Sequence, residues 1–286
     1  MPELPELQAL VEGLTAAIGG RRVEGAAEWS PGTLRTAEPA LAEMAGRTVD
    51  RVWRRGKHIG VRMGAHTLLI HLMQAGRLGL SPAAERRPGR SAGLSLKLEG
   101  GEELRLRELS TERRASAYLL DDEGLAAHEP LARLGPEPIG LDADGWAEVL
   151  SGPSAALHTA LRDGRRVAGL GRCYASEIMW AARLAPFQRS ERLSGEEHAR
   201  LAKAAQVVLD GALARARERI TTRMPDKEKR VTAVHRHFGE PCLRCGTRLE
   251  RVSFAGYELV YCPACQTGGR VYADRRRSRL GLPPAP

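Results

Sequence analysis

The chain has 286 residues, enough for two domains with cores of their own and a small appendage. Its 44 Lys and Arg outnumber 35 Asp and Glu, and the net charge of +9 points to a polyanion partner, nucleic acid ahead of an anionic membrane. No stretch approaches the ~18 apolar residues of a membrane span, and the acidic, proline-bearing start is not a signal peptide, so a cytoplasmic protein is expected.

The first element is the run Met1-Pro2-Glu3-Leu4-Pro5-Glu6. Removal of Met1 would leave Pro2 as a free secondary amine with carboxylates one and four residues downstream. An α-amino group titrates roughly two units below a lysine side chain, so much of it is neutral and nucleophilic near neutral pH. Attack on a carbonyl-like carbon gives an iminium, a covalent electron sink, and Glu3 and Glu6 can supply general acid and base chemistry beside it. The same residues also read as a processed terminus leading into a helix that Pro5 starts. Leu7, Leu10, Val11, Leu14 and Ile18 recur at helical spacing, and Gly19-Gly20 ends the pattern.

From Val23 to Leu120 the texture changes to short β runs, at 48–53, 59–63, 67–72, 93–98 and 103–106, separated by Gly, Pro and charged turns. A β-sandwich capped by the first helix is expected, with 81–90 as a basic loop. From Pro130 to Ile220 the pattern is helical, with short helices at 144–150, 157–161 and 176–184. Ser194-Gly195-Glu196-Glu197 has the spacing of a capping box and opens a long helix. Between helices, Arg165-Arg166-Val167-Ala168-Gly169-Leu170-Gly171-Arg172 joins a Gly-x-Gly turn to three arginines, a pattern suited to holding a phosphate at the next helix N-terminus. A charged connector runs from Thr221 to Glu240.

Four of the five cysteines form two Cys-x2-Cys pairs, Cys242/Cys245 and Cys262/Cys265, sixteen residues apart. In a reducing compartment this spacing is that of a zinc ribbon, one structural Zn2+ with no open coordination position. The fifth, Cys173, reads as a small buried hydrophobe. Two short β runs between the pairs form a hairpin around Ala255-Gly256, and Arg270, Arg275, Arg276, Arg277 and Arg279 follow as candidate phosphate contacts.

Taken in order, Pro2-Glu3-Leu4-Pro5-Glu6, Arg55-Gly56-Lys57, Ile70-His71-Leu72 with Gly76-Arg77-Leu78, Val167 to Gly171 with Tyr174-Ala175-Ser176-Glu177, and the closing cysteine finger resemble the bacterial formamidopyrimidine-DNA glycosylase and endonuclease VIII family over nearly the whole chain. The resemblance implies an α+β multidomain protein. Its parts are an N-terminal helix plus β-sandwich (1–125), a helix-two-turn-helix domain (130–225) and a four-cysteine zinc finger (236–280), with DNA in the cleft between domains. It implies a bifunctional enzyme, glycosylase and abasic-site lyase, acting as a monomer on damaged double-stranded DNA in the nucleoid. Pro2 is then the nucleophile, Glu3 the acid that opens the sugar, Glu6 a second carboxylate and Lys57 a phosphate ligand. His71, Gln74, Arg113, Arg114, Gly171, Arg172, Tyr174 and Tyr257 are the expected DNA contacts.

The departures bear on specificity. Met73-Gln74-Ala75 stands where the family carries an intercalating methionine, and Arg113-Arg114-Ala115 where it carries an aromatic wedge, leaving Gln74 and Arg113 to fill the void behind a flipped base. Arg172 replaces the usual asparagine. The connector lacks the long loop that covers 8-oxoguanine in the purine-specific branch. Tyr257 stands where the finger carries an arginine, with Arg251 nearby. Oxidised pyrimidines, ring-opened purines or abasic sites are therefore expected ahead of intact 8-oxoguanine. A specialised enzyme for bulky or alkylated bases and a non-catalytic damaged-DNA-binding protein are the alternatives.

Overall fold

The computed structural model describes residues 1–85, 89–227, 230–254 and 257–272. The chain divides into two compact units, Met1–Leu134 with Ala212–Lys229, and Gly135–Gly211 with Arg230–Pro286.

The first unit opens with α1 (Leu4–Ile18). Pro5 sits in its first turn, where a missing N–H leaves nothing unsatisfied, and the Glu6 carboxylate accepts the Glu3 backbone N–H at 2.9 Å. The apolar stripe is buried as its spacing requires: Leu10, Leu14 and Ile18 are all fully covered. Among the described residues, eight strands follow: β1 (Val23–Glu28), β2 (Arg51–Arg55), β3 (His58–Met63), β4 (His66–His71), β5 (Gly76–Pro82), β6 (Ala92–Leu98), β7 (Glu102–Glu108) and β8 (Ser116–Leu120). They form two four-stranded antiparallel sheets, ordered β1-β6-β7-β5 and β2-β3-β4-β8. Inward residues of both sheets, such as Ile59, Val61 and Leu68 from one and Leu94, Leu96 and Leu104 from the other, share one core with α1. Two short helices, α2 (Asp122–Ala127) and α3 (Glu129–Ala132), lead out of β8.

Strand β5 is one place where the sequence reading falls short, since 81–90 was expected to be loop. The strand runs through Pro82, and its Arg77 is only 8% exposed because its guanidinium donates to the carbonyls of Pro225 at 2.8 Å and Asp226 at 2.9 Å. These carbonyls belong to the segment leaving the long helix. Leu80 N–H bonds to Thr222 C=O, Met224 N–H bonds to Leu78 C=O, and Leu213, Ala216, Ile220 and Met224 join the sandwich core. This packing places Ala212–Lys229 in the first unit, whereas the sequence reading assigned it up to residue 225 to the helical segment.

The second unit contains α4 (Ala143–Leu150), α5 (Leu157–Ala160), α6 (Arg172–Ala181) and the larger part of α7 (Gly195–Arg219). The capping box that opens α7 is formed in both directions, Ser194 N–H to the Glu197 carboxylate at 2.9 Å and Glu197 N–H to Ser194 Oγ at 3.2 Å. Helix α6 starts four residues before the expected Ser176, because the Ala175 N–H already finds the Gly171 carbonyl. Cys173 is 1% exposed within it, as expected. The hairpin β9 (Glu250–Phe254) and β10 (Tyr257–Tyr261) precedes α8 (Pro263–Thr267) in the same unit. Among the described residues, no helix is long and apolar enough to cross a membrane.

Candidate functional site

In the first unit, Pro2 is buried, and Glu3 and Glu6 are 3% and 5% exposed. The Glu6 carboxylate is drawn back to the backbone N–H of Glu3, the residue that follows Pro2. Lys57 lies on the two-residue turn between β2 and β3, where Gly56 takes the positive φ of 56° that such a turn requires. Arg54 fastens this turn to α1, donating to Gln8 Oε1 at 3.0 Å and to the Gly56 carbonyl at 2.9 Å. Pro2, two buried carboxylates and an ammonium-bearing turn are thus mounted on one scaffold.

His71 pairs with His58 across β3 and β4, and the rings lie 4.8 Å apart. The Met73 backbone N–H donates to His71 Nδ1 at 3.2 Å, so this nitrogen is the acceptor and Nε2 carries the proton. Burial, and next the Lys57 ammonium, hold His71 down to about 4. His58 is lowered further, to about 3, by burial and then by His71 and His128. His58 was not singled out in the sequence; an imidazole beside a glycine-lysine turn carries no signal without its cross-strand partner.

Gln74 is exposed on the turn after β4, and Met73 before it has φ 48°. Arg113 has φ 45°, and its guanidinium hydrogen-bonds to Ser30 Oγ. Arg114 pairs with Glu112 at 2.8 Å.

In the second unit, Gly171 caps α6, Arg172 is its first residue, and Tyr174 is 5% exposed with Arg230 Cζ 5.5 Å over its ring. The other two arginines of the glycine turn are engaged locally: Arg165 with the Asp163 carboxylate, and Arg166 with the Pro153 carbonyl and Ser190. Glu177, which the sequence presents only as part of a motif, accepts the backbone N–H groups of Ala233, Val234 and His235 at 2.7, 3.0 and 2.8 Å. It thereby orders the loop that brings His235 in, whose pKa falls to about 4 through burial and then Arg236, Arg230 and Arg172.

The sulfurs of Cys242, Cys245, Cys262 and Cys265 all lie within 4.8 Å of one another. Tetrahedral Zn–S bonds of about 2.3 Å require S···S separations of about 3.8 Å, so the donor set fits zinc. Cys262 Sγ accepts the Cys265 N–H, Trp180 Nε1 donates to Cys242 Sγ at 3.4 Å, and Arg244 stacks on the Trp180 ring at 4.1 Å. Hydrogen bonds around Thr247 draw the Cys245 thiol down to about 6, whereas burial pushes the Cys262 and Cys265 thiols up. Arg251 is paired with Glu258 at 2.8 Å and stacked on Phe238. Tyr257 pairs with Phe254 through its backbone; its side chain, the hairpin tip and Arg275, Arg276, Arg277 and Arg279 lie outside the described residues.

Known proteins are similar to this chain over most of its length. The formamidopyrimidine-DNA glycosylase N-terminal domain matches residues 1–114, the H2TH domain of that protein 134–224, and the zinc finger found in FPG and IleRS 239–268. Formamidopyrimidine-DNA glycosylase of Geobacter sulfurreducens is 35% identical over 275 residues, covering 93% of this chain and 100% of the relative. That of Ralstonia nicotianae is 35% identical over 291 residues with the same coverage. A crystal structure of a Lactococcus lactis FPG mutant with Fapy-dG containing DNA has the same fold, with a TM-score of 0.83 at 24% identity over 93% of this chain and 100% of that one.

The family matches, the relatives and the cysteine cluster therefore define a zinc-finger DNA-repair glycosylase, with one structural zinc ion held by Cys242, Cys245, Cys262 and Cys265. The chain belongs to the formamidopyrimidine-DNA glycosylase family.

Proposed function

We propose that this enzyme excises damaged bases from double-stranded DNA and then cuts the abasic site, using Pro2 as a covalent nucleophile once Met1 has been removed. The observation that carries this reading is that Glu3 and Glu6, one and four residues beyond Pro2, are both nearly fully buried at the start of the helix to which Arg54 ties the Lys57 turn. The target nucleotide is first flipped out of the stack. The Pro2 nitrogen bonds to C1′ as the glycosidic bond breaks, and the base leaves with the bonding pair and takes a proton. Glu3 protonates the ring oxygen, the C1′–O4′ bond opens, and an iminium forms. Loss of a C2′ proton then expels the 3′ phosphate, with the Lys57 ammonium holding phosphate charge. Water finally hydrolyses the iminium and frees Pro2.

Gln74 and Arg113 in place of methionine and aromatic wedges, together with a connector hydrogen-bonded to β5 as far as Asp226, favour oxidised pyrimidines, ring-opened purines and abasic sites over intact 8-oxoguanine. The pinned connector equally favours the second reading, a specialised enzyme for bulky or alkylated bases. With Arg251 paired to Glu258 and no arginine at 257, β-elimination products should dominate over those of a second elimination. The enzyme acts as a monomer on this reading.

Borohydride reduction in the presence of abasic-site duplex tests the mechanism. Wild type should give a covalent adduct mapping to the Pro2 nitrogen, and a form that retains Met1, which keeps that nitrogen in an amide bond, should not. Equal trapping by both would overturn the assignment, and tight duplex binding without any adduct would mark a damage-binding protein instead.

A further inference from the structure

Two turns of the first unit carry a non-glycine residue in the left-handed region, Met73 at φ 48° and Arg113 at φ 45°. Such a backbone costs about 1 kcal/mol or more and persists only where the surroundings impose it. Both turns leave the same point of the β5–β7 ladder, where Gly76 pairs with Glu108. On the Gly76 side, Gly76 N–H closes the turn onto the Leu72 carbonyl at 2.8 Å. A Cβ on Gly76 would meet that carbonyl at 2.4 Å and the Ala115 Cβ at 2.9 Å, so the two turns press together with no room for a side chain. On the Glu108 side, one carboxylate collects three backbone donors: Ser110 N–H at 3.1 Å, Arg114 N–H at 3.1 Å and Ala115 N–H at 2.8 Å. Leu109 N–H reaches across to the Ala75 carbonyl at 3.1 Å and joins the turns.

We propose that Glu108 is a positioning residue for base extrusion: its carboxylate shapes the loop that carries Arg113 and, through the Gly76 contact, braces the turn that displays Gln74. A carboxylate accepting three N–H groups makes strong, charge-assisted bonds, and it reaches both flanks of Arg113. The backbone at Arg113 is therefore set before DNA arrives, and only its side chain must leave Ser30 to enter the duplex. This inference rests on the reading in which Arg113 and Gln74 occupy the space behind a flipped nucleotide.

The test compares wild type, Glu108→Ala, Glu108→Gln, Arg113→Ala and the Glu108→Ala/Arg113→Ala double variant. Substrates are duplexes holding one abasic site opposite each of the four bases, and the same abasic strand alone. Glu108→Ala should raise KM on duplex about tenfold and flatten the preference among opposite bases, while cleavage of the single strand, which has no void to fill, stays unchanged. Glu108→Gln keeps an acceptor oxygen for Arg114 and Ala115 and should recover most of the loss. The double variant should lose less than the product of the two single losses, since much of what Glu108 does passes through Arg113 and the rest through the Gln74 turn. Multiplicative losses, or an equal loss on single strands, would reduce Glu108 to a purely structural residue and overturn the proposal. If wild type itself shows no opposite-base preference and Arg113→Ala matches it, the void-filling reading fails and this inference with it. If Arg113→Ala loses the preference while Glu108→Ala keeps it, only the role of Glu108 fails.

Discussion

His58 faces His71 directly across the β3–β4 ladder, rings 4.8 Å apart, one with its Nδ1 buried and unpartnered and the other with its Nδ1 occupied by the Met73 N–H. Neither ring has an easy way to accept a second proton. In an unfolded chain both titrate near 6.5, whereas folding lowers them to about 3 and about 4. The stability this represents is complete above pH 6.5 and drains as pH falls, because the unfolded chain binds protons that the folded chain refuses. Each such group contributes up to about 1.4 kcal/mol per pH unit. His58→Phe should therefore unfold with one proton fewer between pH 5 and 6.5, a shallower pH dependence of the urea-derived stability. An unchanged slope would show that His58 is not held neutral.

Glu177 is 7% exposed and satisfies three consecutive backbone N–H groups. Glu177→Ala leaves these donors without their acceptor and should cost about 3 kcal/mol, with Glu177→Gln losing roughly half as much. Denaturant unfolding reads this directly; a loss under about 0.5 kcal/mol for the alanine variant would mean that water replaces the carboxylate.

Gly60 sits opposite Trp53, and a Cβ there would lie 2.1 Å from the indole. Gly60→Ala should lower stability by about 2 kcal/mol through overpacking, and adding Trp53→Leu should recover part of it. Additive losses would place the strain elsewhere.

Cys262 is fully buried, and its Sγ approaches Cys245 Sγ to 3.5 Å. Cys262→Ser should abolish zinc binding, measured as metal content per chain, and with it the ordered packing of the finger, since the free energy of a structural site is folding free energy. Retained metal at full occupancy would contradict the four-sulfur assignment.

The parts of this molecule that were legible in the sequence are those whose partners lie close along the chain. The stripe from Leu7 to Ile18, the Ser194 capping box and the two Cys-x2-Cys pairs each announce themselves within a few residues. Strand β5 did not, because its buried arginine looks like a surface charge until the carbonyls of Pro225 and Asp226, some 150 residues away, are seen to satisfy it. Glu108 and Glu177 were hidden for a related reason. Their ligands are backbone N–H groups, which every residue offers and no sequence pattern marks. Pro2, Glu3, Glu6 and Lys57 could be named from residue type and resemblance, but Arg54, which fixes the Lys57 turn to α1, emerges only from the folded geometry.

Helix α6 begins at the Gly171 cap with Arg172 and ends beside Trp180, whose indole donates to Cys242. Ten residues of helix make a strut about 15 Å long. The glycine turn and the metal cluster are therefore opposite ends of one rigid bar rather than two independent devices. The Gly171 cap at one end and the Trp180–Cys242 hydrogen bond at the other belong to that single element.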